Sequence, residues 1–437
     1  MYTRREMLGA MTAPVAAATA MAYLDPLKLS TAMGEIAEIA SQPGSAAQIA
    51  GNEDFWAAIA RAFTVDRSII NFNNGGVSPA PDMVQESMKR HLDFSNSTPP
   101  PIALWQVLEP RKEPIRQRMA QHWGVDPEEI AFTRNTSESL QICQFGIDLK
   151  AGDEVLTTDQ DYGRMINTFK QREKREGVVL RQFSMPVPNN DDDEIVRRFE
   201  QNITPRTKMI LMVHIVNLTG QILPVRRVVQ MARKRGIPVV VDGAHSLAHF
   251  SFKISDLDCD YYGTSLHKWL FAPHGTGLLY VRRNKIKGLW PLMAANENQV
   301  DDIRKFEEIG THPAANILAI AEALTFHQLI GDERKEKRLH FLKMAWADRL
   351  MGFSDRIRLN TSLDPKFSCG IANVYVEGIE TSKLQQWLWK DHQILTVAIN
   401  HEQFNGLRIS PSVYTTMEEI DRFCDAMEHA ITNGLPA

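Results

Sequence analysis

Five places in this sequence set chemically capable side chains directly after a stretch that reads as a β-strand. Ile130-Ala131-Phe132-Thr133 leads to Asn135, Thr136 and Ser137, and Leu156-Thr157 leads to Asp161 and Tyr162. Met212-Val213 is followed by His214 and Asn217, and Val240-Val241 by Asp242, Gly243, Ala244 and His245. Tyr261-Tyr262 precedes Ser265-Leu266-His267-Lys268. Asn135-Thr136-Ser137 has the composition of a helix start, where free backbone N–H groups, hydroxyls and the helix dipole favour a phosphate. A lysine can form an imine, a carboxylate can pair with a ring nitrogen, and an aromatic can stack on a flat ring. A phosphate cradle, an aromatic, a carboxylate and a lysine at one sheet edge are together what pyridoxal phosphate requires.

That convergence needs elements that put the five strand ends side by side. Extended patterns at Glu154–Thr157, Val178–Phe183, Met209–Val216, Pro238–Val241, Asp260–Thr264 and Thr276–Val281 alternate with helical patterns. The helical ones are Arg111–His122, Met165–Arg175, Glu194–Gln201 and Val225–Arg235. Unbroken apolar strands separated by helices predict an α/β fold with a mostly parallel sheet covered on both faces. Ligands of such sheets bind outside the carboxyl ends of the strands. From about Asn316 the pattern changes to a helix at Ile317–Leu329, a break at Gly331-Asp332 and a charged helix to about Met351. Short strands at Gly370–Val376, Ile394–Val397 and Leu407–Ile409 and a closing helix, Met417–Ile431, predict a smaller α+β domain. The expected division is a leader at 1–22, a linker at 23–51 with room for one short helix, and a segment at 52–74 whose helix around Trp56 completes the small domain. A large domain at 75–309 and a small domain at 310–437 follow.

The chain has 437 residues and a formal net charge of -4, with no long basic run, so no nucleic-acid partner is expected. Cys143, Cys259, Cys369 and Cys424 lack CxxC pairing or a histidine at metal spacing, so no metal centre is expected, and they are too sparse for a disulfide framework. Arg4-Arg5 precedes a short Ala-rich apolar run, Met7–Met21, with small-residue cleavage patterns at Ala18-x-Ala20 and Ala20-x-Ala22. This resembles a twin-arginine export signal, apart from Met7 where phenylalanine is common. It implies the twin-arginine export machinery as a partner and a periplasmic or exported mature protein without a stable membrane anchor; a floppy amphipathic start on a cytoplasmic protein is the alternative.

Val241-Asp242-Gly243-Ala244-His245, then Ser265-Leu266-His267-Lys268-Trp269-Leu270, Pro273 and Gly275-Thr276-Gly277, resemble the class V aminotransferases, and within them the isopenicillin N epimerase-like branch. The resemblance runs from about Asn71 to Asp425. It implies the PLP-dependent transferase fold type I, with Lys268 as the Schiff-base lysine and Asp242 at the pyridinium nitrogen. His245 would lie near the phenolic oxygen and Tyr162 on the ring, with Thr136, Ser137, Ser265 and His267 at the phosphate. Arg408 would clamp a substrate carboxylate, and Asn217 would lie at the ring edge or that carboxylate. Gly310-Thr311 resembles the segment that reaches a neighbouring subunit's phosphate, implying a homodimer in which Thr311 binds the partner's cofactor. Each position also has a structural reading: histidines satisfied in a core, hydroxyls capping a helix, an arginine in a surface ion pair. His214, His274 and His312 receive no role. The resemblance implies an amino-acid-like amine as substrate and chemistry at its alpha carbon, by transamination or epimerisation. A carbon–sulfur or beta lyase, or a binding protein without catalysis, are the alternatives. Residues 397–406 contain no cysteine, which argues against the persulfide chemistry of the family's cysteine desulfurases.

Overall fold

The apolar runs assemble into one seven-stranded sheet in the computed structural model, which describes residues 42–436 together with Gly34 and Glu38. The expected leader at 1–22 and most of the expected linker lie outside the described residues. After a short β1 (Ile70–Asn71), the sheet contains β2 (Ile130–Thr133), β3 (Glu154–Thr158), β4 (Val179–Phe183), β5 (Thr207–Val213), β6 (Val239–Asp242), β7 (Tyr261–Ser265) and β8 (Gly277–Val281). Their order is β2-β8-β7-β6-β5-β3-β4, and β8 runs antiparallel to both its neighbours while the others point the same way. Successive side chains of a strand face opposite ways. Ile210, Met212, Val239 and Val241 therefore enter one core, and Met209, Leu211 and Val240 enter the core on the other face. Double coverage explains why these strands read as continuous apolar runs.

The smaller domain carries β9 (Ile357–Leu359), β10 (Ala372–Val376), β11 (Ile394–Leu395), β12 (Val397–Asn400) and β13 (Asn405–Ile409). Four of them form an antiparallel sheet in the order β12-β13-β10-β9, while β11 pairs in parallel with β1. Its core gathers Ile70, Phe72, Trp346, Leu388, Leu407 and Phe423. The 22-residue helix Asp332–Phe353 crosses between domains: Leu339 joins the large-domain core, whereas Leu342, Trp346 and Leu350 join the small one. It meets the preceding helical stretch, Ala314–Ile330, at a 75° bend over Gly331, which has φ 89°. Among the described residues no single helix is long and apolar enough to cross a membrane.

Two boundaries differ from expectation. The helix Glu53–Ala60 packs in the large-domain core through Phe55, Trp56 and Ile59, and only Ile70 and Phe72 of the 52–74 segment enter the small core. Phe63 explains the choice, because its ring meets Phe271 and Phe326 edge-on at 5.4 and 5.6 Å. Residues 314–330 belong with the large domain for the same reason, since Ile317, Leu324, Phe326 and Ile330 are buried there. The end of the expected linker is a capped helix, Ala46–Ala50, whose Ala50 carbonyl accepts from Arg338 at 3.0 Å.

The sheet edge also depends on a close approach. Gly243 follows β6, and a Cβ there would overlap the Tyr262 ring of β7. Tyr262 Oη in turn bonds Ser246 Oγ at 2.8 Å, so the ring has little room to retreat. Gly243→Ala is expected to destabilise the protein by about 1–3 kcal/mol, as overpacking typically does. Thermal or urea denaturation checks it, with Tyr262→Phe alone and combined. The double variant should be less destabilised than the sum of the singles if the ring is the clash.

Candidate active site

β6 ends on Asp242, which lies opposite Gly263 of β7 and opposite Val213 of β5. Its carboxylate is 2% exposed, and Oδ1 accepts from Ala244 N at 2.9 Å. Burial raises its pKa, while the Ala244 bond and the charge of Lys268 oppose that shift. Lys268 sits three residues beyond β7, partly buried, with Nζ 3.2 Å from His245 Nε2. Burial lowers the Lys268 amine to about 8; Asp242 pulls it back up and Arg408 pushes it further down. His245 is held well below its ordinary value by burial, then by Lys268 and Arg408, so it is neutral at pH 7. The turn that follows Lys268 places buried Phe271 at φ 62°, a left-handed conformation that costs a bulky residue energy. Lys335, reaching in from the long helix, donates to the Trp269 carbonyl and lies 3.9 Å from the Phe271 ring centre, which holds this turn in place.

One strand along, Asn135 caps the helix Thr136–Gly146 by accepting from Glu138 N at 2.9 Å. That helix start can lie against the sheet because β8 begins with glycine: a Cβ on Gly277 would come within 2.7 Å of Asn135 N. Thr136 and Ser265 converge there, with Thr136 N donating to Ser265 Oγ at 2.9 Å and the two hydroxyls 2.7 Å apart. Ser137 follows, partly buried on the first turn. His267 donates Nδ1–H to the Thr276 carbonyl at 3.0 Å, which leaves Nε2 as its free ring atom. Burial, then Lys268, lowers His267 to about 4.

The opposite side of the cluster is built by β3, β5 and β13. Asp161 closes the turn after β3, accepting from Thr158 N at 3.1 Å and Thr158 Oγ1 at 2.6 Å. Burial lifts its carboxyl to about 7, with nearby Asp242 adding to the shift. This turn presents Tyr162, 42% exposed, at the start of the helix Gly163–Glu176. Arg408, on β13 and 7% exposed, donates from Nη1 to the Asn217 carbonyl at 3.1 Å and from Nη2 to Asn73 Oδ1 at 2.6 Å. Burial lowers its pKa to about 10. Asn73 was not among the expected site residues. The cluster Asn71-x-Asn73-Asn74-Gly75-Gly76 after a strand was its signal, and the structure lays Gly75 against Ser410 Oγ and the His245 ring. Four buried polar atoms in this region have no hydrogen-bond partner: His245 Nδ1, Asn217 Oδ1, Arg408 Nε and Asp161 Oδ1.

The strand ends thus bring together Lys268, Asp242, His245, Thr136, Ser137, Ser265, His267, Tyr162, Asn217 and Arg408. Thr311 is not among them within the chain. It is exposed in a surface groove of about 410 Å³ that Trp105, Arg304 and His312 also line. His214 is a core residue, edge-on to Phe250 and Phe252 and lowered to about 3 by burial. All four cysteines are buried, and burial pushes Cys259, Cys369 and Cys424 up to about 12 and Cys143 higher still.

The profile of the family described as aminotransferase class-V matches residues 70–423. The chain is 29% identical over 399 residues to the isopenicillin N epimerase of Amycolatopsis lactamdurans, a match covering 85% of this chain and 98% of that protein. A probable cysteine desulfurase of Vibrio cholerae is 27% identical over 345 residues, covering 73% of this chain and 82% of its own length. Among solved structures, a C-DES mutant with glycine covalently linked to its PLP cofactor superposes with a TM-score of 0.75 at 22% identity, covering 84% of this chain and 98% of that one. The fold is therefore that of the pyridoxal-phosphate enzymes of fold type I, and pyridoxal phosphate is the cofactor of the group. The chain belongs to the aminotransferase class-V family.

Proposed function

We propose that this protein is a pyridoxal-phosphate enzyme that breaks a bond at the alpha carbon of an amino acid, with Lys268 as the residue that bonds the cofactor. The observation that carries the reading is the single cluster in which a partly buried lysine of lowered pKa, a buried carboxylate and several orphaned polar atoms meet at the carboxyl edge of the sheet. Buried polar groups are ordinarily satisfied, so their concentration fits a site shaped for a polar ring and a charged ligand. Asp242 would meet the ring nitrogen and stabilise its proton, and His245 Nδ1 and Asn217 Oδ1 suit the ring's polar rim. The start of the helix Thr136–Gly146, with Thr136, Ser137, Ser265 and His267 Nε2, would hold the phosphate. A phosphate there would offset the burial that keeps His267 neutral. When bound, the cofactor supplies an electron sink for the carbon next to the substrate nitrogen.

The chain's own groups supply the rest. The Lys268 amine, once free of the cofactor, takes a proton from the alpha carbon and returns one. Tyr162, presented by the Asp161 turn, would cover the ring and limit water. Arg408 would take the substrate carboxylate: it is a buried guanidinium held by two neutral acceptors, so its charge is positioned without being cancelled.

Epimerisation or transamination is the main reading, and the isopenicillin N epimerase relatives support the former. A carbon–sulfur or beta lyase on the same groups is the second reading, because relatives in the family include cysteine desulfurases. The burial of all four thiols weighs against a route through a cysteine persulfide, whereas a plain elimination needs no thiol.

Three outcomes are expected. Purified wild-type protein loaded with pyridoxal phosphate should show an imine absorbance band that shifts with a particular amino acid. Lys268→Ala should lack the band and lose at least about 10²–10⁴ in turnover. Inversion or solvent-isotope exchange at the alpha carbon without keto acid would mark an epimerase, keto acid plus ammonia without an acceptor a lyase, and a wild-type protein that never develops the band ends the reading.

The second outcome concerns Asn73. Asn73→Ala removes the acceptor of Arg408 Nη2, and an unsatisfied buried charged donor costs about 1–3 kcal/mol. KM for the amino acid should rise roughly tenfold or more with the imine band intact. Unchanged KM would place Arg408 away from the substrate.

The third is a pH effect. With the Lys268 amine at about 8, about one-tenth is free base at pH 7. Raising pH deprotonates it, so capture of pyridoxal phosphate by the cofactor-free enzyme should speed up roughly tenfold from pH 6 to 7 and level off above about 8. A rate still climbing tenfold per unit at pH 9 would show an ordinary lysine; stopped-flow absorbance reads it.

A further inference from the structure

On the far side of the Lys268 turn, three helix segments bring two imidazoles and a carboxylate together. His122 comes from the last turn of Lys112–Trp123, His327 from Ile320–Ile330, and Asp332 from the first turn of Asp332–Phe353. His122 Nε2 lies 3.2 Å and His327 Nε2 2.5 Å from the same atom, Asp332 Oδ1, and the three candidate ligand atoms all fall within 4.8 Å of one another. We propose that His122, His327 and Asp332 form a binding site for a divalent transition-metal ion, zinc in the first place.

The donor set argues for that class of ion. Two imidazole nitrogens and one carboxylate oxygen suit zinc and its borderline neighbours, whereas calcium and magnesium prefer oxygen alone. Ligands about 2.0–2.2 Å from one tetrahedral ion stand roughly 3.3–3.6 Å apart. The His327–Asp332 edge would open by a fraction of an ångström, the His122–Asp332 edge would hardly change, and the edge between the two imidazoles, within 4.8 Å, would settle to that span.

A second observation is independent of the spacing. His327 is 1% exposed, yet its Nδ1 has no partner at all, and Nε2 has only the Asp332 carboxylate beside it, at 2.5 Å and off the line of a regular hydrogen bond. A buried imidazole in a hydrogen-bonded array would be expected to satisfy at least one nitrogen. Its ring is instead fixed by packing, parallel to Trp123 at 9° and edge-on to His122. Lys335, one turn beyond Asp332, would repel a metal if it faced the site, but its ammonium is committed to the Trp269 carbonyl and the Phe271 ring.

The position gives the site a role. It spans the 75° bend at Gly331, one helical turn from the lysine that braces the Lys268 loop. A bound ion would tie the large-domain helix Lys112–Trp123 to the helix that crosses into the small domain, stabilising the folded state by mass action.

The test uses untagged, full-length, cofactor-loaded protein, stripped with a chelator and then titrated with zinc chloride by calorimetry, with metal analysis and thermal unfolding alongside. One equivalent per chain and a raised thermal midpoint are expected. His122→Ala and Asp332→Asn should each weaken zinc binding at least tenfold while leaving the cofactor absorbance unchanged. His122 is near the surface, so its variant should fold even if one at His327 does not. Zinc bound no more tightly by the wild type than by His122→Ala, or not at all, would overturn the proposal and leave the cluster as an ion-paired array. Neither result depends on the reaction assigned to Lys268.

Discussion

The structure turns on a carboxylate that the sheet removes from water. Asp242 ends β6 between two other buried strands, with the Ala244 amide as its donor and the Lys268 ammonium as the nearest compensating charge. A buried charge is tolerated only where something pairs with it. Much of the local construction follows from that demand. Gly243 leaves room for the Tyr262 ring against the end of β6, and the next amide, Ala244 N, reaches back to the carboxylate. The Lys268 turn takes up a left-handed residue in order to hold the amine close by, and needs the Lys335 brace to keep it. The burial that lifts Asp242 also lowers Lys268, so one desolvated pocket shifts the carboxyl and the amine toward each other.

Arg408 links this pocket to the small domain. It is the middle residue of the register Val397↔Arg408↔Asn373, on an inner strand of its sheet, and its guanidinium reaches across the boundary to Asn217 of the large domain. Asn73 meets it from the turn after β1, and β1 itself is pinned to β11. The substrate end of the site therefore depends on the relative placement of both cores. That placement is governed by the helix Asp332–Phe353, which is buried in one core at Leu339 and in the other at Trp346.

The large domain was legible in the sequence because a doubly covered parallel strand is apolar throughout and its end is marked by the first polar residue. Asp242 and Ser265 are such residues, Thr136 and Lys268 follow three positions after their strands end, and the sheet topology places all four at one edge. Tyr162 and Asn217 could be placed for the same reason. What the sequence hid was long-range. An amphipathic helix such as Glu53–Ala60 shows that it has a buried face but not which core receives it; the edge contacts of Phe63 with Phe271 and Phe326 decide that, more than 200 residues away. Asn73 looked like turn composition, because nothing local connects it to an arginine 335 residues on. The His122, His327 and Asp332 cluster escaped for the same reason: metal motifs are recognised by short spacings, and here one ligand is separated from the others by over 200 residues.

The way Arg408 is held limits what the site can accept. Its partners are a backbone carbonyl and an amide oxygen, both neutral, and Nε has none. Had Asn73 been an aspartate, the guanidinium would have been equally well placed but already paired, and an incoming carboxylate would have had to displace an anion to gain anything. Neutral acceptors orient the fork and leave its charge to be used, which is why burial still lowers its pKa. With Arg408 as the proposed clamp, a substrate carrying a carboxylate would gain the full charge-assisted interaction in a desolvated setting. A simple amine would gain none of it and would leave the guanidinium uncompensated. On the proposed reading, the discrimination would be made by the small domain before any bond at the alpha carbon is touched, and it would favour amino acids over other amines independently of which bond breaks next.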